Sequence, residues 1–371
     1  MALNVLRPND IIVACDSFKG SLGSAAVNEA CREGILAACP HCNVTTLTLA
    51  DGGEGTAAAV AASVPGGCWH TVNACNPLGE PIEAAYYAMP DGHTAVIETA
   101  AAAGLTLIKE HNPWLTSTYG LGQMIADARD KGYDKVIVGL GGSATNDGGT
   151  GMLQALGYKF YDRSGKLILS RGGRILSEIA SVEAPAEGFG VSVTALCDVD
   201  NPLTGERGAT RIFGSQKGAG ADMLDALEAG MRNYERVIGP DVASTPGAGA
   251  AGGLGAALLA FAHAELRPGI DVILDLAGFD EKLRHADLVI TGEGSLDAST
   301  LMGKAPAGIL RRAAQHGVPV IAIAGSVAAD VDFSGFKAEA AVTPSAMPLS
   351  QAMRPEIAAA NISKTVSSLL L

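Results

Sequence analysis

Basic side chains are few in this sequence. Among its 371 residues, lysine and arginine total 26 and aspartate and glutamate total 39, so the formal net charge is −13 at pH 7. Nucleic acids and anionic membranes bind basic protein surfaces, so this charge argues against either as a partner. It remains compatible with a local basic site that binds a small anion.

Strongly lipophilic segments and a basic leader are also missing. A long uncharged segment, residues 246–264, consists mostly of glycine and alanine, which favours a glycine-rich loop and a buried helix over a membrane span. The first residues show no basic segment followed by an apolar stretch, so we expect no cleaved signal peptide. We therefore predict a cytoplasmic protein.

Histidine is scarce, and this narrows the chemistry. The seven histidines lie outside the glycine-rich polar segments, and no G-x-S-x-G sequence is present. Neither a Ser-His-Asp nor a Cys-His mechanism therefore has evident residues. Acid–base catalysis would fall to carboxylates or lysines. Any metal would be held by oxygen atoms, which indicates Mg²⁺-like chemistry.

The cysteines give no clear redox or zinc motif. Cys39 and Cys42 have the C-x-x-C spacing of disulfide oxidoreductases, in which the pair opens a helix and the helix N-terminus lowers the thiol pKa. Here a helical pattern precedes the pair and a predicted strand follows it. We expect no disulfide, because a cytosolic chain of this size does not need one.

Short apolar runs alternate with alanine-rich helical segments, which is typical of α/β proteins. The strands predicted near both ends of the chain are almost continuously apolar, as expected for a parallel sheet covered on both faces. They are 11–15, 44–49, 288–291 and 318–324. Polar residues follow these strands, where open α/β sheets bind ligands.

The middle of the chain has a different pattern, with a hairpin-like pair over 79–90 and strands over 95–98 and 135–140. Chains of this length usually divide into two domains. We therefore predict an α/β protein with two domains. They are a discontinuous, Rossmann-like parallel-sheet domain of residues 1–76 and 275–371, and an inserted mixed α/β domain of residues 77–274.

Glycine-rich polar loops are the most informative feature. The sequence has 47 glycines, and many lie in six loops, most of which also hold acids with lysine or a small hydroxyl residue. The loops are 16–21, 51–56, 141–149, 198–202, 216–218 and 291–297, the last followed by Gly303 and Lys304. Glycine lets backbone N–H groups approach phosphate oxygens, lysine neutralises phosphate charge, and carboxylates hold a divalent ion. The set indicates phosphoryl transfer.

Two other classes of function stay open at this point. Residues 139–144 match G-x-G-x-x-A after a predicted strand, and Asp162 follows at about the distance of a ribose-binding acid, so an NAD(P)-dependent oxidoreductase is one alternative. A binding protein for a nucleotide or a sugar acid, without turnover, is the other. The chain has no G-x-x-x-x-G-K-[ST] loop, so an ATP site would have a different design.

Longer segments occur in order along the chain. They are DSFKGSL (16–22), ADGGEGT (50–56), IETAAAAGL (97–105), GLGGSATNDGGTGM (139–152), CDVDNPL (197–203), QKGA (216–219), PGAGAAGGLGAAL (246–258) and TGEGSLDASTLMGKAP (291–306). With them the chain resembles the class II glycerate kinases. The resemblance implies ATP-dependent, Mg²⁺-supported phosphorylation of D-glycerate to 2-phosphoglycerate, in a cleft between two α/β domains. Phosphorylation of the 3-hydroxyl group is the alternative within this class.

The resemblance and the residue types together suggest roles. The glycerate hydroxyl group must lose a proton, and a carboxylate is the available base, so Asp147 or Asp297 is the predicted catalytic base, with Lys19 as a further catalytic residue. Mg²⁺ or its waters would be held by Asp51, Glu54, Asp198 and Glu293. The predicted substrate- and ATP-binding residues are Asp16, Ser17, Lys19, Gly52, Gly53, Ser143, Asn146, Gln216, Lys217, Gly249, Gly252, Gly253, Gly294 and Lys304.

The chain departs from the family pattern after TGEG. The family usually has a basic residue there and then an acid followed by a glutamine-containing turn, whereas this chain has Ser295, Asp297 and Ser299. If the missing basic residue contacts a substrate anion, Lys304 or Arg207 would have to compensate. The expected partners are small molecules, D-glycerate and the nucleotide, and the sequence leaves a monomer or a homodimer open.

Overall fold

The structure, a computed structural model, describes residues 8–371. The described chain forms two compact units. The first comprises the residues up to Asp51 together with Ile270–Leu371, and the second comprises Gly52–Gly269.

The strands are short and lie mostly in two sheets. They are β1 (Asp10–Cys15), β2 (Asn43–Thr46), β3 (Cys68–Cys75), β4 (Pro81–Ala88), β5 (Thr94–Glu98), β6 (Lys135–Gly139), β7 (Lys159–Tyr161), β8 (Ser181–Glu183), β9 (Ser192–Leu196), β10 (Glu265–Arg267), β11 (Leu288–Leu296), β12 (Val320–Val327) and β13 (Ala338–Ala341).

The helices range from one to five turns. They are α1 (Ser24–Ala38), α2 (Thr56–Ser63), α3 (Ala100–Ala103), α4 (Tyr119–Asp130), α5 (Thr150–Ala155), α6 (Ala209–Phe213), α7 (Ala221–Ile238), α8 (Pro240–Ser244), α9 (Ala250–Ala262), α10 (Gly269–Leu276), α11 (Phe279–Leu283), α12 (Ala305–Gln315), α13 (Leu349–Ala352) and α14 (Pro355–Leu370). Short 3-10 turns cover Leu105–Leu107, Gly173–Ser177, Ser215–Lys217 and Thr300–Met302.

The first unit is built around a parallel five-stranded sheet in the order β13-β12-β11-β1-β2. This confirms the parallel sheet predicted from the apolar runs. Its core includes Ile11, Val13, Ile290 and Ile323, all essentially inaccessible to solvent. The predicted bounds of β2 were too generous, because the pairing of β2 with β1 ends at Val13↔Thr46.

Strand β11 is longer than predicted. We expected it to end at Thr291, but it continues to Leu296 and pairs with β12 as far as Leu296↔Val327. Glycine is required at Gly292, because a Cβ atom there would collide with the backbone carbonyl of Ile323 in the neighbouring strand. Gly292 and Gly294, which suggested a loop, therefore lie in a strand, and so does Glu293 between them.

The order of strands reverses beside β1. Strand β2 lies on one side of β1, whereas β11, β12 and β13 lie on the other. Open α/β sheets bind ligands outside the carboxyl ends of their strands at such a reversal. Cys15, the last residue of β1, pairs with Gly292 of β11, so Asp16 and Glu293 lie at this point of the sheet.

The second unit contains a mixed six-stranded sheet in the order β10-β9-β6-β5-β4-β3. Strands β5, β6, β9 and β10 are parallel, and β3 and β4 add an antiparallel hairpin. A mixed α/β unit was predicted here. Its core contains Tyr86, Leu121, Phe160 and Tyr234, each fully buried.

The boundaries between the units differ from the predicted ones. Helix α2 and strand β3 belong to the second unit, because β3 pairs with β4 along its whole length, from Cys68↔Ala88 to Cys75↔Pro81. At the other boundary the first unit resumes at Ile270 and not at residue 275. There Arg311 donates a hydrogen bond of 2.6 Å to Asp271 and thereby ties the start of α10 to α12.

Cys39 and Cys42 form a disulfide, contrary to our expectation. The pair lies between the end of α1 and the start of β2, as predicted, and the turn brings the two Cα atoms to 5.6 Å, a separation that a disulfide can bridge. The covalent link therefore closes the turn that follows α1. Among residues 8–371, no helix combines the length and apolar character needed to cross a membrane.

Candidate active site

Three carboxylates and two lysines gather at the strand reversal of the first unit. Asp16 follows β1, Glu293 lies in β11, and Asp51 is the last residue of the segment after β2. Burial raises the pKa of Asp16, the Ser17 backbone N–H lowers it, and the negative charges of Asp51 and Glu293 raise it again. A cationic ligand would relieve this repulsion between like charges.

Each lysine of this cluster pairs with one of its acids. Lys19 Nζ lies 3.5 Å from Asp51 Oδ2, and Lys304 Nζ lies 3.2 Å from Glu293 Oε2. The Lys19 side chain is 80% exposed and that of Lys304 is 44% exposed, so both ammonium groups can reach a ligand from solvent. Glu293 is held more firmly, because it is buried and also accepts a 2.6 Å hydrogen bond from the Thr300 hydroxyl group.

Asp297 lies one residue beyond β11. Its carboxylate accepts hydrogen bonds from the backbone N–H and the hydroxyl group of Ser299. These bonds and the charge of Lys304 lower the pKa of Asp297. The carboxylate is therefore ionised at neutral pH, half exposed, and close in sequence to the cluster.

Asp147, the other predicted base, is enclosed within the second unit. It is fully buried, and its carboxylate accepts hydrogen bonds from the Thr118 N–H and hydroxyl groups and from the N–H groups of Gly149 and Gly151. Burial raises the pKa of Asp147, whereas these donors lower it. The carboxylate thus ties the loop after β6 to the start of α4 and the start of α5.

The loop after β6 is fixed by several other side chains. Lys217 Nζ donates to Ser143 Oγ at 2.9 Å and to the Thr145 carbonyl oxygen at 2.7 Å. Asn146 donates to the Thr210 hydroxyl group at 3.0 Å, and this amide is also fully buried. Lys217 is only 2% exposed and Ser143 only 5% exposed, so the loop is held from within the second unit.

The glycines of residues 247–255 pack backbone against backbone. Ala251, Gly252 and Gly253 adopt left-handed conformations, with φ of 53°, 68° and 88°. A Cβ atom on Gly252 would collide with the Thr145 carbonyl oxygen, and one on Gly249 would collide with the Pro202 carbonyl oxygen. These predicted binding glycines therefore also set how closely two loops of the second unit approach.

The segment after Asp51 is anchored by Glu98, a residue that the sequence reasoning missed. Glu98 ends β5, and its carboxylate accepts hydrogen bonds from the N–H groups of Gly55 at 3.2 Å and Ala57 at 2.7 Å. It thereby satisfies donors at the first turn of α2, which has no side-chain cap of its own. The only available signal was an acid at the end of an apolar strand, in the IETAAAAGL segment.

The predicted site residues divide between the units. The first unit holds Asp16, Ser17, Lys19, Asp51, Glu293, Gly294, Asp297 and Lys304. The second unit holds Gly52, Gly53, Glu54, Ser143, Asn146, Asp147, Asp198, Gln216, Lys217, Gly249, Gly252 and Gly253. Of the four predicted metal ligands, Asp51 and Glu293 thus share the first-unit cluster with Asp16. Asp198 accepts a 2.7 Å hydrogen bond from the Gly269 N–H group, and Glu54 is exposed before α2.

The loop after β6 does not have the form of a dinucleotide-binding turn. That motif needs a helix that opens within the glycine sequence, so that its N-terminus faces a pyrophosphate. Here α5 begins only at Thr150, and Asp162 lies in an exposed turn where it accepts hydrogen bonds from Ser164 and Lys166. The geometry therefore argues against the oxidoreductase alternative.

Comparisons with known proteins give one consistent result. A family model described as the glycerate kinase family matches residues 11–370. A Bacillus subtilis (strain 168) protein named glycerate kinase is 45% identical over 354 residues, which cover 92% of this chain and 92% of that protein. An Escherichia coli (strain K12) protein named glycerate 2-kinase is 41% identical over 334 residues, with 86% of each chain covered.

A solved structure is similar over nearly the whole chain. It is the crystal structure of a Salmonella typhimurium LT2 protein described as a glycerate kinase 2, with a TM-score of 0.85 and 38% sequence identity. The match covers 99% of this chain and 98% of that one.

Proposed function

Because the chain belongs to the glycerate kinase family, we propose that it transfers the γ-phosphoryl group of ATP to the 2-hydroxyl group of D-glycerate, with release of ADP and 2-phosphoglycerate. The observation that supports the site is the cluster of Asp16, Asp51 and Glu293 with Lys19 and Lys304 at the strand reversal. Phosphoryl transfer depends on such an arrangement, because it requires neutralised phosphate charge and precise positioning more than a strong nucleophile. The location of the site between the two units stays a prediction from the sequence.

The same cluster supports a place for Mg²⁺. We propose that Asp51 and Glu293 hold the ion or its waters and that Asp16 lies beside them, since hard oxygen donors are what Mg²⁺ prefers. The raised pKa of Asp16 beside two further carboxylates fits a site that is completed by a cation. When bound, the ion would neutralise charge on the transferred phosphoryl group.

Lys19 and Lys304 are proposed to bind the phosphate groups. Each ammonium group is exposed enough to exchange its carboxylate partner for a phosphate oxygen. The Lys19–Asp51 ion pair is exposed and contributes little stability, so exchange of this pair costs little. The first unit therefore supplies both cations and anions for binding a metal–nucleotide complex.

Asp297 is the better supported of the two predicted bases. It is ionised, half exposed and located directly after β11, whereas the oxygens of Asp147 are enclosed by hydrogen-bond donors. In a loose phosphoryl-transfer transition state the base mainly orients the hydroxyl group and accepts its proton late. A carboxylate with a lowered pKa is sufficient for that role.

The activity is tested with ATP, Mg²⁺ and D-glycerate in an assay that couples ADP formation to NADH oxidation, with phosphorus NMR of the product. We expect turnover that depends on both substrates and a phosphorus signal of 2-phosphoglycerate. A 3-phosphoglycerate signal would assign the other hydroxyl group. Ligand binding without ADP formation would contradict a kinase.

The base is tested with Asp297→Asn. We expect kcat to fall about 10²–10⁴-fold with nearly unchanged affinity for the nucleotide. Asp332→Asn is the matched control, because Asp332 accepts a similar hydrogen bond from Ser334 and its pKa is also lowered, and this variant should keep full activity. If Asp297→Asn turns over like the unmodified protein, Asp297 is not the base.

We propose a cytoplasmic enzyme that acts as a monomer or a homodimer on small-molecule substrates. Chromatography with light scattering gives the oligomeric state directly.

A further inference from the structure

Lys217 is a buried cation of the second unit, and its ammonium group is hydrogen-bonded to two oxygen atoms of the loop after β6. The ammonium group donates to Ser143 Oγ at 2.9 Å and to the Thr145 carbonyl oxygen at 2.7 Å. The lysine sits at the end of a 3-10 turn, and the next residue, Gly218, adopts a left-handed conformation packed against the His111 backbone carbonyl. This arrangement places the side chain beneath the loop that follows β6.

The direction of the Lys217–Ser143 hydrogen bond constrains the Ser143 proton. An ammonium group only donates, so Ser143 Oγ must accept this bond, and its own O–H points elsewhere. Among residues 8–371, the contacts of Ser143 include no acceptor for that proton. The hydroxyl proton is therefore available for donation to a bound ligand.

The position of Ser143 matches a ligand-binding edge. Ser143 lies four residues beyond β6, at the carboxyl end of the parallel strands β5, β6 and β9. Its backbone is held in place, because it forms an antiparallel bridge with Gly104 and the following Ala144 N–H donates to the Ala103 carbonyl oxygen. A fixed donor at this edge suits an oxyanion.

We propose that Lys217 is a positioning residue that acts through Ser143, so that the Ser143 hydroxyl group donates a hydrogen bond to a bound oxyanion. The oxyanion is a phosphate group of the nucleotide or the carboxylate of glycerate. The inference rests on the proposed kinase activity and adds the atom that donates and the cation that orients it. A hydroxyl group that accepts from an ammonium group is also polarised and becomes a stronger donor.

Few charges face Lys217. Asp147 is the charged group that acts on it and raises its pKa, whereas burial has the larger effect and lowers the pKa to about 7. The Tyr234 hydroxyl group lies near Asp147, and burial holds the pKa of Tyr234 far above neutrality, so it stays protonated. The His111 imidazole contacts the Leu105 carbonyl oxygen. The ammonium form is thus lost as the pH rises through neutrality.

The test measures binding of two ligands from pH 6 to pH 9, a non-hydrolysable ATP analogue and D-glycerate, by calorimetry. Ser143→Ala should weaken one of them about 10–100-fold, as for a hydrogen bond to a charged group, and thereby identify the source of the oxyanion. Lys217→Met should weaken the same ligand, and the double variant should bind no worse than Lys217→Met alone. The unmodified protein should lose affinity for this ligand above pH 7, whereas Lys217→Met should not.

Controls separate positioning from folding. Lys159→Met removes an exposed lysine that pairs with Glu183 on β8, and it should preserve affinity and pH profile. Lys217→Arg should restore part of the affinity without the loss above pH 7, since arginine stays protonated. If Lys217→Met fails to fold, Ser143→Ala still tests the proposed hydrogen bond to the oxyanion, because this variant removes only one hydroxyl group.

Two results would overturn the inference. One is that Ser143→Ala binds both ligands like the unmodified protein, and the other is that Lys217→Met keeps the pH dependence of binding. Either result in an enzyme that still forms phosphoglycerate counts against the positioning role alone. An unmodified protein that forms no phosphoglycerate counts against the proposed function itself.

Discussion

Two aspartates in glycine-rich loops differ in what surrounds their carboxylates. Asp147 is inaccessible to solvent, and its oxygens are occupied by donors from two segments of the second unit, at the starts of α4 and α5. Asp297 is bonded within its own turn and remains half exposed. Both were candidate bases because both are aspartates in glycine-rich loops. The burial that distinguishes Asp147 from Asp297 cannot be read from the sequence.

At the residue scale, Asp147→Asn is expected to destabilise the protein. The amide NH₂ group would face N–H groups that now donate to the carboxylate. Two buried donors would then lie opposite each other without an acceptor. We expect a loss of about 2–4 kcal/mol in the free energy of unfolding, measured in urea. Asp297→Asn, at the surface, should lose less than about 0.5 kcal/mol.

The opposite pattern would restore Asp147 as a base. If Asp147→Asn unfolds at the same urea concentration as the unmodified protein and has lost kcat, the carboxylate acts in chemistry. Both measurements on the same preparation separate these outcomes.

Glycines at helix starts differ in what they permit. Gly220 precedes α7 with φ of −78°, and no atom lies within 4 Å of the position of a Cβ atom. Gly239 precedes α8, and a Cβ atom there also meets nothing within 4 Å, but its φ is 98°. Neither helix has a side-chain hydrogen bond at its cap. The backbone angle therefore decides which glycine is replaceable.

At the element scale, Gly220→Ser is expected to raise the free energy of unfolding by about 0.5–1 kcal/mol. The serine hydroxyl group can accept from a free N–H group of the first turn, and serine has less conformational entropy to lose on folding. Gly239→Ser should lower it by about 1 kcal/mol, because a left-handed conformation strains a residue with a Cβ atom. Thermal unfolding of the two variants side by side gives the sign of each change in stability. A stabilised Gly239→Ser variant would contradict this argument.

Regular elements were predictable where an apolar pattern alone sets them. Strand β1 is a run of buried apolar residues, and the sequence located it to within one residue. Strand β11 was cut short, because Gly292 and Gly294 look like a loop until the neighbouring backbone of β12 is present. Glu98 was missed for the same reason, since its partners in α2 lie far away in sequence.

The division between the units also depended on pairing that composition does not reveal. The β3–β4 hairpin is continuous with the six-stranded sheet, so α2 and β3 follow that sheet and not the parallel one. Among the candidate cations, the sequence could not separate Lys217 from Lys19. One is buried beneath a loop, and the other is 80% exposed beside Asp51.

At the scale of the whole molecule, the chain carries a net charge of −13 and still places lysines where a phosphate is expected to bind. Lys19 and Lys304 each lie within 4 Å of a carboxylate of the cluster. Exposed charges are screened by salt over roughly 8 Å at physiological ionic strength. Acidic groups that lie farther than this from the two lysines therefore repel an anionic substrate only weakly.

The second unit is expected to fold by itself. It has its own sheet and its own buried core, so a polypeptide of residues 52–269 should unfold cooperatively in urea and show dispersed amide NMR signals. The full-length chain measured in parallel provides the reference spectrum. A collapsed state without near-ultraviolet circular dichroism would contradict this expectation.

The two ends of this unit lie beside the end of β9 and the residues that directly follow it. A Cβ atom on Gly52 would lie 2.8 Å from that of Leu196, the last residue of β9, and the Gly269 N–H group donates to Asp198, two residues further on. Chain ends that lie this close can be joined by a short linker. Residues 52–269 are therefore suited to circular permutation, with new termini opened in the exposed turn at Arg163 and Ser164.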